Sequence, residues 1–314
     1  VALVVVKNPV AGGGRSAALW NACRGRIGEL FPDHRIVETL PGQMAEQVRT
    51  AVEADGDRVL VLGGDGTIGA AAHGILCSSR PHTPLSFLAC GTGCDFARNY
   101  QWPGAPEECL EALASATPGL VDVIRLEVWR EGQWWLLTHA LNIASVGVSG
   151  AIIARMAGRG SLIDRLPPTL RYRLHCIFGI VAYRSRRVEI RVDGSVLADG
   201  PILVATVCNG GWFGSGLHVH PQTRPDDGLL DVVAAGCGGV AGNLAMFAAF
   251  DRGTHLVHPR VAYGRGTVVE IAPAADRQNE HAFLEADGEP YRGDRLRLTV
   301  LPGALTVALP PLMS

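Results

Sequence analysis

The stretch Val59-Leu60-Val61-Leu62-Gly63-Gly64-Asp65-Gly66-Thr67 constrains the fold of this chain more than any other. Four consecutive apolar residues bounded by glycines read as a strand buried on both faces. The small residues from Ile68 to Leu76 then read as a helix. A buried strand that breaks at glycines and restarts as a helix leaves backbone N–H groups at the positive end of the helix dipole, where phosphate oxygens are stabilised. For an isolated loop, a plain glycine turn without a ligand is the competing reading. The string Gly64-x-Gly66-x-x-Gly69 also satisfies the dinucleotide fingerprint. That fingerprint needs an acid about 20 residues on, at the end of the next strand. The stretch from Leu85 to Thr92 has none.

The flanking sequence repeats the same alternation. Ala2 to Val6, Arg35 to Thr39, Arg58 to Leu62 and Leu85 to Ala89 read as strands. Trp20, Cys23, Ile27 and Leu30 recur at helical spacing, and Met44 to Ala54 and Pro106 to Ala116 are further helices. Strands alternating with helices imply an open parallel sheet covered on both faces, with ligands beyond the carboxyl ends of the strands. Glycine-rich turns follow three of the strands: Asn8 to Arg15, Gly63 to Thr67, and Gly91 to Phe96. All three emerge at that one edge, which favours a phosphate cradle over three unrelated turns.

From Leu120 the pattern changes. Val121 to Trp129 and Trp134 to Ile143 read as a hairpin around Glu131-Gly132. Strands continue at Val188 to Val192, Ile202 to Cys208, Leu229 to Ala234, Val268 to Ile271, Ala282 to Ala286 and Arg295 to Val300. Runs of strands without intervening helices point to an antiparallel β sandwich or barrel, with a boundary near Asp122. A chain of 314 residues exceeds what one hydrophobic core usually serves, which also implies two domains.

Several function classes drop out. The formal net charge of -2 advertises no nucleic-acid partner. Lys7 is the only lysine, so neither a Walker A loop nor a protein-kinase scaffold is available. Eight cysteines scattered among apolar residues, with no Cys-x-x-Cys pair, read as reduced thiols of a cytosolic protein rather than a structural metal site. The opening apolar run ends at Lys7, too short for a signal-peptide core; the chain opens without Met, which leaves a preceding leader open. Val232 to Phe250 carries no charge, but its four glycines and Asn243 argue for strand, turn and buried helix rather than a transmembrane span. Ile152 to Arg187 holds eight arginines against one acid, Asp164, interleaved with apolar residues. It reads as a solvated helical face or as a contact with an anionic membrane.

Three later stretches concentrate polar chemistry: Asn209 to Leu217, Pro225 to Asp231, and Asp287-Gly288-Glu289. Each Asp-Gly alone is an ordinary turn signal. Beside phosphate loops, these acids supply what phosphoryl transfer needs, carboxylates for Mg²⁺ and a base for the attacking hydroxyl.

Taken in order, Asn8-Pro9 with its glycines, Gly63 to Thr67, Gly91-Thr92-Gly93-x-Asp95-Phe96-Ala97-Arg98, Asn209-Gly210 through Gly216, Asp227-Gly228-Leu229-Leu230-Asp231 and Asp287-Gly288-Glu289 resemble the diacylglycerol kinase catalytic family, which includes sphingosine kinases and bacterial lipid kinases. The resemblance implies an N-terminal α/β nucleotide domain of the NAD kinase/diacylglycerol kinase type, residues 1–122 plus 303–314, and a C-terminal β-rich sandwich over 123–302 that takes the lipid, with ATP in the cleft between them. It implies ATP contacts from Asn8, Thr39, Gly63, Gly64, Asp65, Gly66, Thr67, Ile68, Gly69, Gly91, Thr92 and Asp95. Mg²⁺ would be held by the Asp227 side chain and the carbonyls of Arg224 and Leu229. The proton acceptor would be Asp287 or Glu289, or Asp65 in sphingosine-kinase fashion; Asp65 could instead orient a metal-water network. Cys94 departs from the family, which commonly has Asn there, and a thiol is the weaker hydrogen-bond partner.

The activity so implied is ATP- and Mg²⁺-dependent phosphorylation of a hydroxyl on a diacylglycerol-like or long-chain-base lipid, at the inner membrane face of a cytoplasmic, peripheral protein. Two alternatives stand beside it. A nicotinamide nucleotide kinase shares Gly-Gly-Asp-Gly, but such enzymes want Asn-Glu where this chain has Asn142-Ile143. A non-catalytic lipid- or nucleotide-binding module would bind without turnover. Neither the lipid nor the oligomeric state is legible in the residues.

Overall fold

The computed structural model describes residues 2–9, 11–91, 93–103, 105–157, 166, 168–273, 282–293 and 295–313. The chain forms two compact units. One comprises Val1–Val123, Pro225–Asp227 and Leu301–Ser314; the other comprises Ile124–Arg224 and Gly228–Val300.

The first unit opens β1 (Leu3–Lys7), α1 (Arg15–Leu30), β2 (Arg35–Glu38), α2 (Met44–Asp55), β3 (Arg58–Gly63), α3 (Asp65–Leu76), β4 (Leu85–Ala89), α4 (Pro106–Ser115). All pairings are parallel, in the order β2-β1-β3-β4. Leu3 to Val6 and Val59 to Leu62 are buried without a break, as strands covered on both faces must be. Because the strands run parallel, the turns after β1, β3 and β4 share one edge. Helix α3 starts at Asp65, three residues before the point that small-residue periodicity indicates, so the glycine motif itself forms the first helical turn.

Small residues on α3 serve packing as well as the loop. Ala71, Ala72 and Ile75 are buried, and a Cβ placed on Gly74 would stand 2.3 Å from the Ala45 carbonyl of α2. Gly74→Ala should therefore destabilise the protein by about 1–3 kcal/mol, as overpacked cores do. Intrinsic helix propensity alone would give a gain of roughly 1 kcal/mol, so the sign of the change in urea denaturation decides between the two effects.

The second unit holds most of β5 (Gly119–Arg130), then β6 (Gln133–Ala140), β7 (Ile143–Gly147), α5 (Val148–Ala157), α6 (Pro168–Ala182), β8 (Arg186–Val192) and β9 (Ser195–Cys208). Two short strands follow, β10 (Trp212–Phe213) and β11 (Leu217–His218), then β12 (Leu230–Gly236), α7 (Gly239–Asp251), β13 (Val261–Gly266), β14 (Val268–Pro273), β15 (Ala282–Ala286), β16 (Glu289–Gly293) and β17 (Leu296–Val307). One layer runs β16-β15-β7-β9-β12-β13, antiparallel throughout. The other contains β8, β14, β17, β5 and β6. β9 joins the layers, since its first half pairs with β8 and its second with β7.

Residues alternate along these strands with period two. Ala205 and Val207 of β9 and Val232 and Ala234 of β12 face the sandwich interior with Ile124, Ile190, Val269 and Leu298. Their neighbours Val204, Cys208, Val233 and Ala235 point the other way, onto Ile152, Cys176, Ile180, Met246 and Phe250 from α5, α6 and α7. The expectation of strands without intervening helices is thereby corrected. One sheet is apolar on both faces, and only helices could cover the second.

Two further boundaries differ from the sequence reading. Trp134 to Ile143 is not one strand, because the chain turns at Leu141 and Asn142, whose amides serve a carboxylate described below. β13 and β16 escaped the pattern because Gly264 interrupts one and Pro290 sits inside the other, which pairs with β15 alone among the described strands. Val232 to Phe250 is strand, turn and helix, as its glycines indicated. The last segment of β17 returns to the first unit, with Val307 parallel to Leu85 and the Ala308 amide donating to the Leu85 carbonyl at 2.9 Å. Among the described residues no helix is long and apolar enough to cross a membrane.

Candidate active site

In the first unit the three turns are tied to one another by specific contacts. Gly64, the residue before α3, has extended backbone, and a Cβ on Gly91 would lie 2.6 Å from the Gly64 Cα. The second and third turns thus meet backbone to backbone, which only glycine permits. Gly12 has φ +60°, and a Cβ there would stand 2.2 Å from the Cys90 carbonyl, so the first turn closes on the third in the same way. Arg15 donates to the carbonyls of Gly12 (3.0 Å) and Gly91 (2.8 Å), and Asn8 donates to Thr67 Oγ1 (3.0 Å). Thr39 is buried, its amide donating to the Lys7 carbonyl at 3.0 Å. Lys7 itself is held by Glu38 at 2.5 Å.

Asp65 connects α3 to the third turn. Its carboxylate accepts from the amides of Asp95 and Phe96, each at 3.1 Å, and these open the short helical turn Phe96–Asn99. Burial raises its pKa and the amides pull it back. Asp95 pairs with Arg98 at 3.3 Å. Cys94 has φ +51°, a left-handed conformation that Asn adopts more readily than Cys. Its Sγ donates to the Gly91 carbonyl at 3.4 Å, and burial pushes its pKa up to about 12.

The predicted residues divide accordingly. Asn8, Thr39, Gly63, Gly64, Asp65, Gly66, Thr67, Gly91 and Asp95 belong to the connected turns. The amides of Thr67 and Ile68 already donate to the Gly64 carbonyl, and Ile68 and Gly69 are buried in the body of α3. Thr92 lies outside the described residues, as do Arg159, Asp164 and Arg165. Arg224, Asp227 and Leu229 stand on the single turn before β12, where Gly228 has φ +74°. Nearby in the first unit, the Asp122 amide donates to the Pro225 carbonyl at 2.7 Å and the Gly303 amide to Asp122 at 2.8 Å.

In the second unit, Asp287 and Gly288 both have positive φ, 48° and 85°, and make the tight hairpin between β15 and β16. The Asp287 carboxylate accepts three amides: Leu141 at 2.7 Å, Asn142 at 3.0 Å and Ile143 at 3.1 Å. Glu289 follows on β16, exposed, with its pKa raised by partial desolvation. Glu285, buried on β15, accepts from Ser145 Oγ at 2.7 Å and from the Gly288 amide at 2.9 Å. Ser145 Oγ lies 2.6 Å from Ser149 Oγ. The Asn142 side chain donates to the Trp212 carbonyl at 2.9 Å, while its buried oxygen has no hydrogen-bond partner among the described residues. Such an acceptor commonly marks a place for water or ligand.

Residues 2–126 match the diacylglycerol kinase catalytic domain, and residues 143–309 match the YegS C-terminal NAD kinase β sandwich-like domain, more than half of the chain. A probable lipid kinase YegS-like of Pseudomonas aeruginosa is 30% identical over 280 residues, covering 86% of this chain and 82% of the relative. The chain belongs to the YegS-like lipid kinase family. The YegS-like fold extends beyond close sequence similarity. A diacylglycerol kinase structure from Bacillus anthracis superposes with TM-score 0.68 at 19% identity, covering 99% of this chain and 97% of the other. Yeast NADH kinase superposes with TM-score 0.52 at 12% identity, covering 99% and 83%. Both likenesses are of fold alone.

Within this YegS-like chain, sequence reasoning missed Glu285, Ser145 and Ser149. One signal was available: Leu284-Glu285-Ala286 places an acid at a position where strand alternation runs between apolar neighbours. Buried acids are found paired or hydrogen-bonded.

Proposed function

We propose that the protein transfers the γ-phosphoryl group of ATP, with Mg²⁺, to a hydroxyl of a membrane lipid of diacylglycerol or long-chain-base type. The observation that carries this reading is the β15–β16 turn. Asp287 is clamped by three amides, and next to it stands Glu289, whose carboxylate has no hydrogen-bond or ionic partner among the described residues and whose pKa is displaced toward the working pH of a general base.

Roles follow from these contacts. The glycine turns after β1, β3 and β4 offer backbone N–H groups and a helix N-terminus, without side chains in the way, to the phosphates of ATP. Glu289 takes the proton of the lipid hydroxyl. As that oxygen bonds to the γ-phosphorus, the bond from phosphorus to the β–γ bridging oxygen breaks and ADP leaves. Asp287 and Glu285 hold the turn; Asp65 holds the third glycine turn against α3. The Asp227 carboxylate with the carbonyls of Arg224 and Leu229 is an all-oxygen donor set, the hard kind Mg²⁺ prefers, and these residues would hold it. The ion, when bound, neutralises phosphate charge.

Incubation with γ-labelled ATP, Mg²⁺ and a bacterial lipid extract tests the proposal. Label in an organic-phase product is the expected result. Label in an aqueous nicotinamide dinucleotide, on adding that substrate, or no transfer to any acceptor, overturns it.

A further inference from the structure

The turn between β6 and β7, at Leu141 and Asn142, is fastened on two sides. Toward the β15–β16 hairpin, the amides of Leu141, Asn142 and Ile143 all donate to the Asp287 carboxylate. Toward the glycine-rich loop after β9, the Asn142 carbonyl accepts from the amides of Asn209 (2.8 Å) and Gly210 (3.0 Å), and the Leu141 carbonyl accepts from Asn209 Nδ2 (2.7 Å). Asn142 thus stands between that loop and the hairpin that carries Asp287 and Glu289, and it is only 4% exposed.

Its side-chain amide is half satisfied. Nδ2 donates to the Trp212 carbonyl at 2.9 Å, whereas Oδ1 is buried and meets no donor among the described residues. Turning the amide over would set one oxygen against another, so the Trp212 carbonyl fixes Oδ1 as the group left over. An unpaired buried acceptor is costly, which makes this a place for a donor that the folded chain does not supply.

The surroundings narrow what can bring that donor. The amides of Leu141, Asn142, Ile143, Asn209, Gly210 and Gly288 and the hydroxyl of Ser145 already donate to protein oxygens. Beside them, the groups still open to an incoming lipid are oxygens, Asn142 Oδ1 and the Glu289 carboxylate. The ester carbonyls of a diacylglycerol are acceptors too and find no partner in that set.

We propose that Asn142 selects the acceptor lipid: its Oδ1 accepts a hydrogen bond from a second donor, a hydroxyl or an N–H, next to the hydroxyl that is phosphorylated. The inference rests on the lipid kinase reading for placing the reacting hydroxyl at Glu289. Within that reading it favours a head group with a second donor over a diacylglycerol, whose one donor is the hydroxyl that reacts.

Isothermal titration calorimetry without ATP tests it on two matched pairs of short-chain probes, each below its critical micelle concentration. Monooctanoylglycerol is compared with trimethylene glycol monooctanoate, which lacks the second hydroxyl. N-octanoylethanolamine is compared with ethylene glycol monooctanoate, in which oxygen replaces the N–H. Wild type should bind the donor-bearing member of at least one pair about tenfold more tightly, the effect of one hydrogen bond to an otherwise unpaired buried oxygen. The pair that shows the preference identifies the donor. Asn142→Leu, close in volume but without either polar atom, should bring the ratio to about one. Glu285→Gln disturbs the same hairpin but leaves Asn142 in place, so it should keep the ratio. Equal wild-type affinities within both pairs, the result if a permanent water satisfies Oδ1, overturn the proposal without any variant. Failure of every probe to bind, a ratio that survives Asn142→Leu, or one that Glu285→Gln also abolishes overturns it as well. A wild type that shows the ratio yet phosphorylates no lipid keeps the role of Asn142 and sinks the kinase reading. Phosphorylation of both members of each pair with equal affinity and equal kcat/KM does the opposite.

Discussion

Replacing Glu289 with Gln should lower kcat by about 10²–10⁴-fold, the range a general base contributes, and leave the melting temperature and the affinity for ATP close to wild type. The side chain is exposed and engages no hydrogen-bond partner among the described residues, so nothing in the fold depends on its charge. Asp287→Asn should behave differently. An amide presents one acceptor oxygen to three backbone N–H groups that now share two, and its NH₂ faces a donor. Each buried N–H left unpaired costs about 1–3 kcal/mol, so urea denaturation should show a loss of that order together with any loss of turnover. The pH profile separates the roles further. A base works deprotonated, so kcat/KM should rise with pH through the Glu289 pKa. Desolvation places that limb above the ordinary glutamate value. The limb should vanish in Glu289→Gln and persist in Asp287→Asn. If Glu289→Gln retains wild-type turnover, proton acceptance moves to another group.

The same turn shows how much of the site a sequence displays. Asp-Gly reads as a turn, and Asp287-Gly288 makes one, with both φ values positive, but the strand after it was hidden by Pro290. The same pair at Asp193-Gly194 joins β8 and β9, again with both φ values positive. Asp193 also spends its carboxylate on backbone amides, those of Val268 and Thr267, and the Val268 N–H holds its pKa below the usual range. Two Asp-Gly pairs with the same local chemistry therefore differ only in what surrounds them. Contact of Asp287 with residues 141–143 and of Glu285 with Ser145 joins positions about 140 apart along the chain, and no local pattern encodes that pairing.

The parallel strands of the first unit were legible because burial on both faces writes itself as continuous apolar runs such as Val59 to Leu62. Helices α5, α6 and α7 were harder. The arginine-rich stretch mixed two apolar sides with basic residues, so α6 had no single polar face for periodicity to find. The glycine turns fall in between. Their positions were evident, but Arg15 spanning Gly12 and Gly91, and the backbone approach of Gly64 to Gly91, are properties of the folded sheet edge.

Asp65→Ala should cost the protein most of its affinity for ATP. Removing the carboxylate strips the acceptor from the Asp95 and Phe96 amides, through which the start of α3 holds the start of the Phe96–Asn99 turn. The effect on stability is a difference of two quantities. Unpaired amides cost about 1–3 kcal/mol each, whereas relief of a carboxylate whose burial raises its pKa returns part of that. The loop carrying Gly91 and Cys94 then loses its registration with α3. At about 2 kcal/mol that corresponds to roughly a thirtyfold weaker Kd for ATP. Asp65→Asn should weaken ATP almost as much, because its NH₂ meets one of the two amide donors. This outcome distinguishes a positioning residue from a proton acceptor. If Asp65 were the base, Asp65→Asn would abolish turnover with the Kd for ATP unchanged in equilibrium titration. If it holds the turn, Kd and turnover fall together, and the acid limb of the pH profile belonging to Glu289 survives in whatever activity remains.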